Sequence, residues 1–211
     1  MTHSIDAQGL SGPDAYRLLI SLIAPRPIAW VGTRSAAGQD NLAPFSFFMG
    51  VSGRPPTLAL SVARGRQGGL KDTARNILET GVFTVSTVPY SMREAMNQSS
   101  APYPPEVSEL EAAGLGVIEG VRVNAPRPAG APTAMECRLV HSHDLGSAHI
   151  LVGEVLVFHI EERVLRAGEA GPTVDTLGLD LISRLGGPDY TRVTDSFTLP
   201  SPQVTPPKTG G

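Results

Sequence analysis

The segment from Ser61 to Thr73 holds residue types that bind phosphate groups. It offers a hydroxyl at each end and three cations between them, Arg64, Arg66 and Lys71. Glycines in the same segment allow backbone N–H groups to approach an anion. The helix predicted to follow this loop would add the positive end of its dipole. A basic loop before a helix is also typical of a solvated surface, so the residue types alone leave both interpretations open.

The segment from Pro25 to Phe48 changes its chemical character every few residues. Residues 28–31 are apolar and β-prone and begin a strand predicted over about 28–33. Residues 35–40 are small and polar and predict a hairpin turn, and residues 41–48 predict a second strand. Pro44 interrupts that second strand. Because proline cannot donate to a sheet ladder, we expect an edge or bulged strand there. Small residues beside aromatic ones leave room for a flat ligand.

Other elements must position these two segments. Ser11, followed by a proline and an acid, predicts a helix that runs to about Ile23. A second helix is predicted over about 73–80, with Gly81 as its C-terminal stop. Further strands are predicted over 57–62, 82–88, 133–144 and 149–161, the last two as a hairpin. Strands in both halves of the chain, with short helices between them, predict a closed or partly open β-barrel.

The composition is that of a globular protein. The chain has 211 residues, 41% of them hydrophobic and 18% charged, whereas a disordered chain would be more charged and less apolar. We expect one domain over residues 1–194 and a proline-rich C-terminal tail over residues 195–211. The net charge of −3 offers no bulk electrostatic reason to expect nucleic acid or a membrane as partner.

The cysteine and histidine content argues against a disulfide and a metal site. Cys137 is the single cysteine, and its apolar surroundings predict a buried small hydrophobe. His141 and His143 share one face of a predicted strand, with His149 or His159 opposite, but no carboxylate or cysteine completes a ligand pattern. We therefore predict no metal. The N-terminal residues lack a signal segment and no apolar run reaches about 20 residues, which predicts a cytoplasmic protein.

Three stretches together resemble the flavin reductase-like family. They are PRPIAWVGTRSAAGQDNLAPFSFF (25–48), KDTARNILETGVF (71–83) and MNQSSAPYPPEVSELEAAGL (96–115), and they follow the family's order. The resemblance extends over about residues 16–190. It implies a mainly β, FMN-binding split β-barrel of antiparallel Greek-key type with short peripheral helices. It also implies a homodimer, because the family builds its flavin site at or near a two-fold interface.

The resemblance further implies a set of site residues. The matching Lys-Asp-Thr and the preceding strand end implicate Lys71, Asp72, Thr73 and Ser61 in phosphate and ribityl contacts. The family places Thr33, Asn41, Ala43 and Ser46 near the flavin, Asn97 over its open side and Arg184 near the flavin or nicotinamide. Trp30 and Phe48 are interpreted as ordinary core residues. Arg26, between two prolines, could reach the phosphate or a partner subunit, or lie on the surface.

The function implied is that of an oxidoreductase. Hydride would pass from NAD(P)H, a transient reductant, to bound FMN and onward to a flavin, iron or protein acceptor, for example a monooxygenase partner. Because the cofactor performs the chemistry, no catalytic side chain is predicted. One alternative is an FMN-binding electron carrier without strong nicotinamide activity, and another is a barrel whose flavin site has decayed. The chain lacks Gly-x-Gly-x-x-Gly and Gly-x-Ser-x-Gly patterns, so Rossmann and hydrolase interpretations have no local support.

Overall fold

The fold is described here from a computed structural model, which describes residues 1–65, 67–169 and 171–202. The α-helices in these residues are α1 (Gly12–Leu22), α2 (Asp72–Thr80), α3 (Arg93–Gln98) and α4 (Glu109–Ala112). The strands are β1 (Ala29–Arg34), β2 (Asp40–Phe45), β3 (Phe48–Gly53), β4 (Pro56–Ala63), β5 (Val82–Ser86), β6 (Val117–Glu119), β7 (Pro126–Pro128), β8 (Thr133–Asp144), β9 (Ala148–Ile160), β10 (Leu165–Gly168), β11 (Gly171–Val174), β12 (Ile182–Arg184) and β13 (Tyr190–Arg192).

One large antiparallel sheet dominates the fold. Its seven strands follow the order β2-β1-β5-β8-β9-β4-β3, so non-consecutive strands are neighbours at β1–β5, β5–β8 and β9–β4. Only two residues, Ser46 and Phe47, separate β2 from β3, which are the two outer strands. A link that short spans only about 10 Å, so the sheet must curl until its outer strands meet. The mainly β, antiparallel fold class predicted above is confirmed.

Pro44 lies in a strand at one edge of the sheet. Pro44 lies in β2 opposite Trp30 of β1, and β2 is an outer strand, as the missing N–H of proline predicts. The prediction of one strand over 41–48 was wrong, because β2 ends at Phe45. The chain bends at the next two residues, and the Phe47 carbonyl there accepts the Ser61 N–H of β4 at 2.8 Å. A straight strand could not have made that turn to the opposite edge.

The helices begin and end where local chemistry directs them. The Ser11 side chain caps α1 by accepting the Asp14 N–H at 3.2 Å, which confirms the predicted start. Gly81 ends α2 in the left-handed conformation with φ 74°. Every helix in the described residues is too short or too polar to cross a lipid bilayer. Residues 195–202 of the predicted tail contain no helix or strand, and residues 203–211 lie outside the described part of the chain.

Two hydrophobic clusters lie on either side of the curled sheet. The first cluster includes Phe83 and Cys137, and the second includes Trp30 and Met96. Burial raises the pKa of the Cys137 thiol to about 12, with a smaller effect from the neighbouring Glu136 charge, so the thiol is an unreactive core group as predicted. Trp30 is fully buried, and its indole N–H donates to Ser99 Oγ at 2.9 Å, which satisfies its polar atom.

Candidate functional site

A large cleft opens beside α1 and has an apolar wall. Its volume is about 1100 Å³, and the side chains of Leu18, Leu19 and Leu22 contribute the helix side. The bend between β2 and β3 forms the facing side, where the Phe47 ring lies 6.3 Å from the ring of Tyr16. Apolar and aromatic walls of this kind bury the faces of a flat ligand. This surface is called the main cleft below.

One end of the main cleft carries groups that bind an anion. Ser61, near the end of β4, and Lys71, the residue before α2, both line it. Lys71 is exposed and stands where the first turn of α2 leaves its backbone N–H groups free, so a cation, a hydroxyl and a positive helix end occur together. Arg64 instead pairs with Asp144 on the neighbouring hairpin. Arg66 lies outside the described residues.

A second cavity adjoins the main cleft and contains arginines. Its volume is about 430 Å³, and Ser46 and Arg184 line it together with Arg26. The two cavities share four lining residues, namely Tyr16, Pro44, Phe45 and Ser46. This second space is called the arginine cavity below. Together the two cavities gather four of the predicted site residues, Ser46, Ser61, Lys71 and Arg184, around one continuous surface.

Three other predicted site residues form a buried polar network. The Asn41 amide donates to Thr33 Oγ1 at 3.2 Å and to Thr73 Oγ1 at 3.0 Å. The amide of Asn76 also donates to Thr33 Oγ1, at 3.1 Å. All four residues are buried, and their polar groups are engaged with one another rather than directed into the main cleft. The network joins the β1–β2 hairpin to the first turns of α2, the helix that begins directly after Lys71.

The remaining predicted site residues lie elsewhere. Ala43 is half-buried and packs against the first hydrophobic cluster. Asp72 pairs with Arg75 and borders a separate cavity of about 370 Å³, which Asn41 also borders. Asn97 is exposed in α3, at a further cavity of about 620 Å³. The structure therefore does not bring these residues to the main cleft, and their contact with a flavin stays a prediction.

Sequence reasoning missed one member of the network and left one arginine undecided. Asn76 stands three residues after Thr73, so the two share a helix face, and a polar pair on that buried face was the available signal. Arg26 is only 4% exposed, which excludes the surface alternative. The sequence feature that pointed to a fixed position for Arg26 was the proline on each side, because proline restricts the backbone. Nothing local could reveal its partner Arg184, which lies 158 positions later in the chain.

Comparison with known proteins identifies the family. A model of the flavin reductase like domain matches residues 22–175. An uncharacterized protein of Deinococcus radiodurans is 39% identical over 205 residues, covering 94% of this chain and 90% of its own length. The crystal structure of nitrilotriacetate monooxygenase component B from Bacillus cereus is similar, with a TM-score of 0.87 and 35% identity over 94% of this chain and 99% of that one.

A more distant structure agrees on the fold. A protein with a split barrel domain from Shewanella frigidimarina has a TM-score of 0.80 at 23% identity, covering 92% of this chain and 95% of its own. The chain belongs to the flavin reductase-like family and has its split-barrel fold. Membership of this family supports a flavin as the cofactor.

Proposed function

We propose that this protein is an FMN-dependent flavin oxidoreductase that draws hydride from NAD(P)H and delivers electrons to a flavin, iron or protein acceptor. The observation that carries the proposal is the main cleft, which has apolar walls along its length and Lys71 and Ser61 at one end. When bound, FMN supplies the redox chemistry, and the protein supplies position and electrostatics. A cytoplasmic location remains a prediction.

The residues present fit a flavin mononucleotide. A phosphate dianion requires a cation and hydrogen-bond donors, and Lys71, Ser61 and the first turn of α2 offer both. A flat ring requires apolar faces and polar groups at its edge, which the α1 leucines and Ser46 offer. Ser46 accepts a hydrogen bond from Arg26 at 3.3 Å, so its hydroxyl proton is free to donate to an acceptor in the cleft.

The phosphate assignment can be tested with two ligands and two variants. We expect Lys71→Ala to weaken FMN binding by roughly 10- to 100-fold, because a charge-assisted hydrogen bond contributes about 1.5–3 kcal/mol. Riboflavin lacks the phosphate, so its affinity should change less than about twofold. Fluorescence titration of each flavin measures both affinities.

A matched control is available one turn further along the same helix. Arg75 pairs with Asp72 and borders a different cavity, so Arg75→Ala removes a cation from α2 without touching the main cleft. We expect its FMN affinity to stay within about twofold of the wild type. Equal FMN affinities for Lys71→Ala and the wild type would contradict the role of Lys71. An equal loss for FMN and riboflavin would attribute the effect to the cleft as a whole.

The reductase activity is tested by stopped-flow reduction of the FMN-loaded protein. Bleaching of the flavin absorbance by NADH or NADPH on the time scale of turnover supports the oxidoreductase. Slow or absent bleaching with both donors would favour an electron carrier that receives its electrons from another protein. If a donor reduces the flavin, assays with free flavin, ferric chelates and a monooxygenase component then identify the acceptor.

A homodimer is the assembly that we propose. Large apolar side chains are exposed at the C-terminal end of α1: Leu22, which also lines the main cleft, is 81% exposed, and Ile23, the residue after the helix, is 53% exposed. A second copy of this chain could cover them in an isologous contact, the commonest arrangement in soluble oligomers. Light scattering coupled to size exclusion measures the mass. A monomer at concentrations of tens of micromolar would contradict this part of the proposal.

A further inference from the structure

Two arginines from distant parts of the chain face one cavity. The backbone N–H of Arg26 donates to the backbone carbonyl of Arg184 at 2.9 Å, and the backbone N–H of Arg184 donates to the backbone carbonyl of Arg26 at 2.8 Å. Residues paired in this way are directly opposite in an antiparallel bridge, and their side chains leave it on the same side. Both side chains line the arginine cavity of about 430 Å³. Like charges directly opposite each other are destabilising unless an anion offsets them.

The partners of Arg26 are all neutral. Its guanidinium donates to the carbonyls of Ile20 and Ile23 at the end of α1, to the Leu185 carbonyl at 2.8 Å and to Ser46 Oγ at 3.3 Å. Carbonyl and hydroxyl oxygens satisfy hydrogen bonds but do not neutralise the positive charge. The side chain is only 4% exposed, so water screens that charge poorly.

The partners of Arg184 are neutral as well. Its guanidinium donates to the Tyr190 hydroxyl and to the Gly187 carbonyl, the latter at 2.7 Å, and lies 4.4 Å from the centre of the Tyr190 ring. These contacts hold the guanidinium plane without supplying an anion. Within the described residues, neither Arg184 nor Arg26 is in an ion pair with a carboxylate, whereas Arg192 on the next strand is paired with Asp180.

The arginine cavity as a whole has an excess of positive charge. Among the described residues that line it there are three arginines and no aspartate or glutamate, and the third arginine, Arg17, is already paired with Asp14. Burial lowers the pKa of the Arg26 guanidinium, and the Arg184 charge acts in the same direction against an opposing effect of Tyr16. An anion in the cavity would remove this mutual repulsion.

We propose that the Arg26–Arg184 pair binds the carboxylate of a single-ring aromatic acid. Guanidinium groups match the planar geometry of a carboxylate and bind it through parallel N–H donors. Arg184 supplies these donors, because its hydrogen bonds engage two of its five N–H groups. Arg26 contributes mainly its charge, because four of its five N–H groups are already engaged. The cavity volume lies at the small end of the range for ligand sites, which suits one ring rather than a whole dinucleotide. Phe45, Met96 and the Tyr190 ring supply apolar surface for that ring.

The position of the cavity connects this acid to the flavin. Ser46 and Phe45 line both the arginine cavity and the main cleft, so a ring held by its carboxylate in the first would lie at the border of the second. This inference rests on the proposed function, because an aromatic acid in the arginine cavity would meet a flavin only if the flavin binds in the main cleft. The binding of the carboxylate itself can be measured without turnover.

Isothermal titration with benzoate and benzamide, on protein with and without FMN, tests the charge requirement. The two probes have nearly the same shape, so a built carboxylate site should bind benzoate at least tenfold more tightly. Arg184→Gln should remove this preference, and Arg184→Lys should retain part of it because lysine keeps the charge but loses the planar fork. Arg192→Gln, which alters an arginine outside the cavity, should bind benzoate as the wild type does.

The outcomes separate the inference from the proposed function. Normal FMN binding with equal affinities for benzoate and benzamide would overturn the carboxylate site and leave the flavin proposal intact. Benzoate binding in a protein that takes up no FMN would do the reverse. If Arg184→Gln lost FMN affinity instead of benzoate affinity, or if ADP-ribose bound where benzoate did not, the pair would serve a phosphate and the carboxylate inference would be wrong.

Discussion

The buried carboxylate of Glu136 should be among the largest single contributors to stability. Glu136 Oε1 accepts the Val121 N–H at 2.7 Å and approaches His159 Nε2 at 2.6 Å. Its Oε2 accepts the N–H groups of Arg122 and Val123 at 2.7 and 3.0 Å. In Glu136→Gln one oxygen becomes an NH₂ group. At the Oε2 position it would leave the Arg122 and Val123 N–H groups without an acceptor, and at the Oε1 position it would leave the Val121 N–H without one, because only a neutral His159 ring nitrogen can accept from the new donor.

The expected loss follows from that count. A hydrogen bond to a charged group contributes about 1.5–3 kcal/mol, and a buried donor left without a partner adds its desolvation cost, so we expect Glu136→Gln to lower the free energy of unfolding by about 3–5 kcal/mol. For a chain of this size that corresponds to a fall in Tm of roughly 6–20 °C. Urea unfolding measures the free energy, followed by far-UV circular dichroism and by the fluorescence of Trp30, the single tryptophan.

The control changes the same functional group in a partly exposed ion pair. Glu154 of β9 pairs with Arg138 of β8 at 2.7 Å, and the two side chains are 24% and 59% exposed, whereas the Glu136 side chain is fully buried. Surface pairs contribute about 0–1 kcal/mol, so Glu154→Gln should be nearly neutral. If the two substitutions destabilise the protein equally, the reasoning about the buried oxygens is refuted.

Two further outcomes concern pH and packing. Burial raises the pKa of Glu136, but hydrogen bonds from Val121, His159 and the next two backbone N–H groups outweigh it, so the folded pKa lies below the ordinary value. In acid the unfolded state then binds more protons than the folded state, so the stabilisation by the carboxylate is present above about pH 4.3 and is lost as pH falls through the folded pKa. The difference in unfolding free energy between the wild type and Glu136→Gln should therefore shrink between pH 7 and pH 3. A difference that stays constant over this range would contradict the lowered pKa of Glu136. Gly32→Ala would place a Cβ 2.0 Å from the Pro126 carbonyl oxygen and should lower the free energy of unfolding by at least about 1–3 kcal/mol. In Gly50→Ala the new Cβ meets no atom within 4 Å, so the loss should be far smaller. Thermal unfolding compares the two variants, and equal Tm values would be inconsistent with the close approach at Gly32.

Local chemistry in the sequence was sufficient for many elements. The cap at Ser11, the stop at Gly81 and the edge position of Pro44 each depend on one residue's hydrogen-bonding or backbone properties. Such properties act over a few positions, so they can be recognised without a fold. The long hairpin β8–β9 was also predicted within a residue at each end, because its β-prone runs are continuous and its turn is short.

The sequence by itself therefore determined many of the local elements, although not the break between β2 and β3, and its motifs indicated the flavin reductase-like family. Only the tertiary structure decided which candidate residues lie together: Lys71 and Ser61 border the main cleft, whereas Asn41 and Thr73 are hydrogen-bonded to each other and do not line it. It also decided that Arg26 faces Arg184, a pairing of two positions far apart in the chain. The physical reason is that curling a seven-stranded sheet brings distant segments together, and spacing along the sequence does not encode which side chains meet there.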